Sequence, residues 1–295
     1  MNYTLFIFFS CLILIIVCLN KNNETFEGNL HKLPCDLVQF NKHVGTSKQK
    51  LNLSLLPCYS REPDIDSVNW GVNSGNQIWK YDPTYGCVGI CKNPIWHKVN
   101  GSLKNISYND NYVWGVNRGD EIFKCEKPCK GKWIKIPGGL KQISAGDSEI
   151  WGVNKHDSIY KCKEPCEGKK WIGLPGKLKN VSATGNINIW GVNKHNDIYS
   201  CKKPCNGKWK KIGGKLKQIS VGDKEVWGVN KHNSIYKCTE PCKGAWKKIP
   251  GSLKHVSASD ETYILGVNTN DVIFRCKKPC NGKWEKMNGS LKNIS

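Results

Sequence analysis

Acidic side chains are scarce in this chain, which sets 24 Asp and Glu against 45 Lys and Arg in 295 residues, a formal net charge of +21. That imbalance excludes an electrostatically neutral surface, since a small domain stays soluble with a charge of roughly 2 to 8 in magnitude. Long apolar runs are scarcer still. One lies between Leu5 and Leu19, shorter than the ~20 residues of a spanning helix, with Asn20 and Lys21 directly after it. Nothing downstream offers a transmembrane segment. Helical periodicity is missing too, and with it a helical bundle or an α/β fold. Collagen-like Gly and Pro content is absent, and 39% hydrophobic residues with 10% aromatics exclude wholesale disorder.

What is present begins with residues 1–20, which read as a secretory signal peptide despite an uncharged start; a retained anchor is the alternative. Removing them leaves the charge intact and takes away Cys11 and Cys18, so fourteen of sixteen Cys remain, an even number suited to an oxidised, extracellular protein. Residues 21–66 form an N-terminal extension whose Cys35 and Cys58 pair with each other or tie it to the next segment. Length alone suggests about two domains of roughly 150 residues. Residues 67–295 overturn that, because they repeat.

Trp-Gly-Val-Asn occurs at Trp70, Trp114, Trp151, Trp190 and Trp227, with Leu265-Gly-Val-Asn as a sixth copy, at spacings of 44, 37, 39, 37 and 38 residues. A second Trp recurs at Trp96, Trp133, Trp171, Trp209, Trp246 and Trp284. A Leu-Lys pair recurs at Leu103, Leu140, Leu178, Leu216, Leu253 and Leu291, followed by Ile or Val and then Ser. In one unit, Ile150–Val153, Ser158–Cys162, Lys170–Ile172 and Leu178–Ser182 are β-rich runs parted by turns at Asn154–Asp157, Glu164–Gly168 and Pro175-Gly176. Four short strands fill the period. The arrangement predicts an all-β, six-bladed propeller of four-stranded antiparallel blades. The chain ends on a Leu-Lys run that the first unit lacks, so the C-terminal strand is expected to close the ring; an open array is the alternative.

Each unit also carries a Cys pair with three residues between: Cys87 and Cys91, Cys125 and Cys129, Cys162 and Cys166, Cys201 and Cys205, Cys238 and Cys242, and Cys276 and Cys280. Two thiols flanked by Lys are a poor metal set, which needs four converging ligands. The spacing favours a disulfide within each blade, with a bridge to the next blade left open. No cofactor is implied, and no residue pattern indicates calcium.

The ordered set of Leu-Lys-x-Ile-Ser, Trp-Gly-Val-Asn, Ile-Tyr-Lys and Trp-x-x-Ile-Pro-Gly resembles the tectonin repeat, the unit of fish-egg lectins, tachylectins and slime-mould tectonins, over about residues 68–295. The Trp-Asp of WD40 repeats is absent. The resemblance implies a six-bladed lectin that binds glycans or lipopolysaccharide. The dense Cys-x-x-Pro-Cys turns and the higher basicity depart from it.

Catalysis needs one asymmetric constellation, whereas repeats place the same residues at six sites. The turn slots Asn154-Lys155-His156, Asn193-Lys194-His195 and Asn230-Lys231-His232 are therefore read as candidate ligand contacts rather than catalytic groups, with Asn favoured as a turn former. The surplus Lys predicts attraction to glycans, lipopolysaccharide or other polyanionic surfaces, and to nucleic acid only without selectivity. Seven sequons follow the signal peptide, at Asn23, Asn52, Asn100, Asn105, Asn180, Asn288 and Asn293; those at Asn105, Asn180 and Asn293 fall in strands. The expectation is a secreted, non-catalytic lectin. An extracellular scaffold for a protein partner is the alternative, and oligomeric state is open.

Overall fold

The runs on either side of each Val-Asn turn pair antiparallel and in register. In the third blade Trp151 faces Lys161 and Val153 faces Ile159, while Gly152 faces Ile143 of the strand before it. The structure, a computed structural model, describes residues 69–82 and 95–295 apart from 169–170, 185–186, 223 and 261. All of them belong to one compact unit, Pro57–Ser295. They form six four-stranded sheets, with no helix among the described residues. The signal peptide and the extension with Cys35 and Cys58 lie outside the described residues.

The six innermost strands are Asn105–Tyr108, Gln142–Ala145, Asn180–Ser182, Gln218–Val221, His255–Ser257 and Asn293–Ile294. Each continues outward through a second, third and outer strand of its blade. The last of the six pairs with Asn69–Val72, placing Ile294 opposite Gly71, and Ser295 exchanges two backbone hydrogen bonds with Trp70. The ring is thus closed by the C-terminal strand.

The core is divided among the seams between blades. One seam packs Trp114, Val116, Ile122 and Ile136 of the second blade on Leu140, Ile143, Ala145, Ile150, Cys162 and Cys166 of the third. The other seams repeat this pattern. Where Leu265 replaces Trp, Tyr81 and Met287 join Val267, Ile273, Leu291 and Ile294, with Trp79, Trp96 and Tyr263 alongside. The second strands read buried at four consecutive positions because each sheet is covered on both faces.

The Gly of Trp-Gly-Val-Asn serves this packing. A Cβ on Gly152 would stand 2.4 Å from Leu140 Cδ1 and 2.8 Å from the carbonyl oxygen of Gln142. The Leu of each Leu-Lys pair lies flat on the bare backbone, which is why the two motifs travel together.

Three local expectations need correction. The second Trp is expected within a β-run, which holds for Trp96 in Ile95–Ser102, but Trp133, Trp171, Trp209, Trp246 and Trp284 each stand one residue before an outer strand. There each indole N–H donates to a carbonyl of the preceding blade, such as Trp171 to Pro137 at 2.7 Å. Pro175-Gly176 is not a turn but part of the outer strand Ile172–Lys177. An edge strand tolerates Pro because its outward N–H needs no ladder partner, and a register shift between Ser158 and Ile159 takes up the irregularity.

The third correction concerns the Cys pairs, of which the disulfide expectation holds for four. Cys125–Cys129, Cys201–Cys205, Cys238–Cys242 and Cys276–Cys280 are disulfides within single blades. Cys162 and Cys166 are buried thiols instead. Trp171 follows Cys166 by five positions, where the other four turns have four. In this turn Cys166 lies in the left-handed region, at φ 62°. Burial raises the Cys166 thiol's pKa, with the neighbouring Cys162 adding to the effect. The bridge expected in the first blade, between Cys87 and Cys91, lies outside the described residues.

Candidate ligand-binding face

The Val-Asn turns all lie at one end of the ring and the Cys turns at the other, because each third strand runs from the first kind of turn to the second. In the third blade Asn154 Oδ1 accepts the N–H of His156 and of Ser158, each at 2.9 Å. Asn193 and Asn230 do the same for His195 with Asp197 and for His232 with Ser234. Asx turns of this kind explain the Asn at each site. These three Asn side-chain oxygens are committed to backbone, so of the predicted contacts Lys155, His156, Lys194, His195, Lys231 and His232 are the ones presented to solvent.

Those six side chains come from three adjacent blades. Lys177 joins them, donating to the His156 carbonyl at 3.1 Å, and Lys215 donates to the His195 carbonyl at 3.3 Å. At the same slots the first, second and sixth blades carry Ser74-Gly75, Arg118-Gly119 and Thr269-Asn270. The face is therefore a basic arc rather than a six-fold symmetric ring. Within it Asp197 accepts from Lys215 and Lys211, whose hydrogen bonds hold its carboxyl below the usual carboxylate range.

The fourth residue of each turn adopts a left-handed φ between 62° and 65°: Asn76, Asp120, Asp157, Asn196, Asn233 and Asp271. Asn and Asp tolerate that region better than other residues with a Cβ. Its carbonyl accepts the N–H of the next blade's Leu, as Asp157 does from Leu178 at 2.9 Å. Its side chain holds the Lys of its own blade's Leu-Lys pair. Lys104, Lys141 and Lys254 meet Asp120, Asp157 and Asp271. Lys179 and Lys217 meet the amides of Asn196 at 2.6 Å and Asn233 at 2.5 Å, and Lys292 meets Asn76.

These six Lys precede the six innermost strands, so they encircle the ring's axis. Burial lowers the pKa of Lys179, Asp157 opposes this, and Lys141 and Lys217 add to it. Burial lowers Lys217 as well, with Lys254 adding. For Lys292, burial acts first, then Arg118, with Lys104 and Lys254 adding and Asp271 opposing. For these three lysines, like charges nearby add to the effect of burial.

Behind the lysines the central channel is lined by Asn105, Gln142, Asn180, Gln218, His255 and Asn293, and then by Ser107, Ser144, Ser182, Ser220, Ser257 and Ser295. Most of these groups stitch blades together. Asn105 Oδ1 accepts from Ile143 N–H at 2.9 Å, Asn180 Oδ1 from Ile219 at 3.0 Å, and Ser107 Oγ from Ala145 at 2.9 Å. The sequons at Asn105, Asn180 and Asn293 are thereby enclosed, whereas Asn100 and Asn288 are exposed. The channel's free volume is about 50 Å³, far below the roughly 300 Å³ at which small-molecule sites begin. Anything that binds here binds at the mouth.

Taken only as a strand marker, the Leu-Lys pair gives no sign that its lysines are functional candidates. The signal that could have found them is the alternation of Asp and Asn at the fourth turn position. Among the described residues no group of three or more His, Cys, Asp or Glu is placed to hold a metal ion.

A family model described as the tectonin domain matches residues 63–204 and again 183–295. Tectonin-1 of Physarum polycephalum is 38% identical over 92 residues, which cover 31% of this chain and 33% of that protein. The matched stretch thus spans about a third of that relative. In fold, the chain is similar to Prp20p from Saccharomyces cerevisiae, whose structure is described with its binding to Gsp1p and histones. The TM-score is 0.52 at 10% identity, over 76% of this chain and 75% of that one. It is also similar to the β-propeller domain of Cps50 (Swd1) from Myceliophteria thermophila, at TM-score 0.50 and 10% identity, over 77% of this chain and 88% of that one. Identity that low speaks to the propeller architecture alone. The family model, by contrast, covers most of the chain and follows the same repeats that build the blades, so the chain belongs to the tectonin domain family.

Proposed function

We propose that this protein is a secreted, non-catalytic lectin that binds microbial surface glycans, lipopolysaccharide among them, on the basic arc of its turn face. The observation that carries this reading is the exposure of Lys155, His156, Lys194, His195, Lys231 and His232 on three adjacent blades. Lys supplies mobile point charges that suit phosphate, sulfate and carboxylate groups on a glycan. The imidazole of His adds a flat face and a hydrogen-bonding edge for a sugar ring. The three turns share one backbone geometry, so three similar contacts are held at fixed spacing. On a repetitive surface, weak contacts of that kind add by effective concentration rather than by individual strength.

Family membership supports a lectin-type propeller, and repetition of the Val-Asn turns and Leu-Lys pairs in all six blades argues against a single catalytic constellation. Secretion is supported by the apolar N-terminal run and by four disulfides, which persist in oxidising compartments. Among the described residues no helix is long and apolar enough to cross a membrane.

A glycan and lipopolysaccharide array probed at low and at high salt tests the proposal. The expected result is binding to anionic microbial glycans that weakens as salt rises. Absence of binding to every glycan, or capture of a single protein partner indifferent to sugars, overturns it.

A further inference from the structure

We propose that the mouth of the central channel is a second, separate binding site, which takes one compact polyanion bearing two or more phosphate or sulfate groups. Six lysines from six blades encircle the axis there, and three carboxylates answer them. The excess of three positive charges is not spread evenly. Lys179 and Lys217, on neighbouring blades, and Lys292 are held by the amides of Asn196, Asn233 and Asn76. An amide oxygen fixes the ammonium group in place without cancelling its charge. In the blades of Lys104, Lys141 and Lys254 the same bond is made by Asp at the same φ. The backbone would accommodate Asp at all six turns.

Two observations make this more than a basic surface. The lysines are partly buried, anchored by hydrogen bonds and set directly before the six innermost strands, whereas the turn residues Lys155, Lys194 and Lys231 are exposed. Their environments also register the crowding of like charges, since Lys179, Lys217 and Lys292 each feel neighbouring ring cations. A multiply charged oxyanion would relieve that repulsion and receive preoriented N–H donors. The narrow, neutral channel beneath, lined by amides and hydroxyls, stops the ligand at the mouth. A ligand on the axis meets all six blades at once, so the stoichiometry is one per chain. This site does not depend on whether the arc of turns binds glycans.

The test uses the full-length protein and inorganic tripolyphosphate in isothermal titration calorimetry. The informative variant is Asn76→Asp/Asn196→Asp/Asn233→Asp, which copies the pairing already present in three blades and leaves every lysine in place. The expected result is one site per chain in the wild type and a loss of affinity of at least about tenfold in the variant. The charge-matched variant Lys163→Gln/Lys202→Gln/Lys277→Gln, exposed at the opposite end of three third strands, is expected to bind tripolyphosphate within about twofold of wild type. Three results overturn the proposal: no binding by the wild type, several equivalent sites per chain, or equal losses in the two variants. None of these outcomes bears on the glycan array, so the two readings fail separately.

Discussion

His255 occupies a channel position that is Asn or Gln in the other five blades, and that substitution should make the fold sensitive to acid. Its Nε2 shares a hydrogen bond of 2.9 Å with the side-chain amide of Asn293, and its Nδ1 is buried without a partner. Burial, then Lys254 and Lys217, push its pKa down from 6.5 to about 4. Between those values the unfolded chain binds a proton that the native imidazole refuses. Stability therefore rises with pH across that window and is lost as pH falls through it. Integrating the difference from pH 7 to pH 4.5 gives a loss of about 2.5 kcal/mol from this one ring. That is a sizeable share of the roughly 5–15 kcal/mol typical of a domain. His255→Gln should remove the effect, because Gln142 and Gln218 already serve this position, accepting the N–H of Val181 at 2.9 Å and of Val256 at 3.0 Å. Urea unfolding followed by Trp fluorescence, at pH 7 and 4.5 for both proteins, measures the difference. If wild type and variant lose the same stability to within about 0.5 kcal/mol, the reasoning about this histidine is wrong.

Two further predictions concern packing and redox state. Gly152→Ala should cost about 1–3 kcal/mol by overpacking against Leu140, whereas Gly213→Ala, whose added carbon meets nothing within 4 Å, should be close to neutral; thermal melts compare them. Under denaturing, non-reducing conditions an alkylating reagent should label Cys162 and Cys166 and none of the eight half-cystines in the four described disulfides. In the native state the two thiols should react slowly, since they are buried and Cys166 has a raised pKa. Peptide mass mapping reads both results, and a labelled Cys125 or an unlabelled Cys162 would contradict the assignment.

The blade plan was readable in the sequence because each period repeats a complete set of local signals. The Asn turns, the β-rich runs and the leftover C-terminal Leu-Lys strand led directly to six blades and their closure. The errors came from signals that depend on neighbours. Pro175-Gly176 has the composition of a turn, yet an edge strand has room for both residues. Cys162 and Cys166 have the spacing of a disulfide, yet Cys166 takes a left-handed φ and both are buried free thiols. The candidate face was partly legible. The Lys-His turns stand out in the sequence as exposed polar positions, whereas nothing local marks the axial lysines, which become neighbours only when the ring closes and Lys292 comes within reach of Lys104.

The central claim is that a particular face of the ring, not bulk basicity, recognises anionic glycans. Surface plasmon resonance on immobilised lipopolysaccharide tests it with two charge-matched triple variants, Lys155→Glu/Lys194→Glu/Lys231→Glu on the turn face and Lys163→Glu/Lys202→Glu/Lys277→Glu at the opposite end of third strands, all exposed positions. The account predicts at least about a tenfold loss of affinity for the first variant and less than about threefold for the second. Equal losses for the two would contradict it.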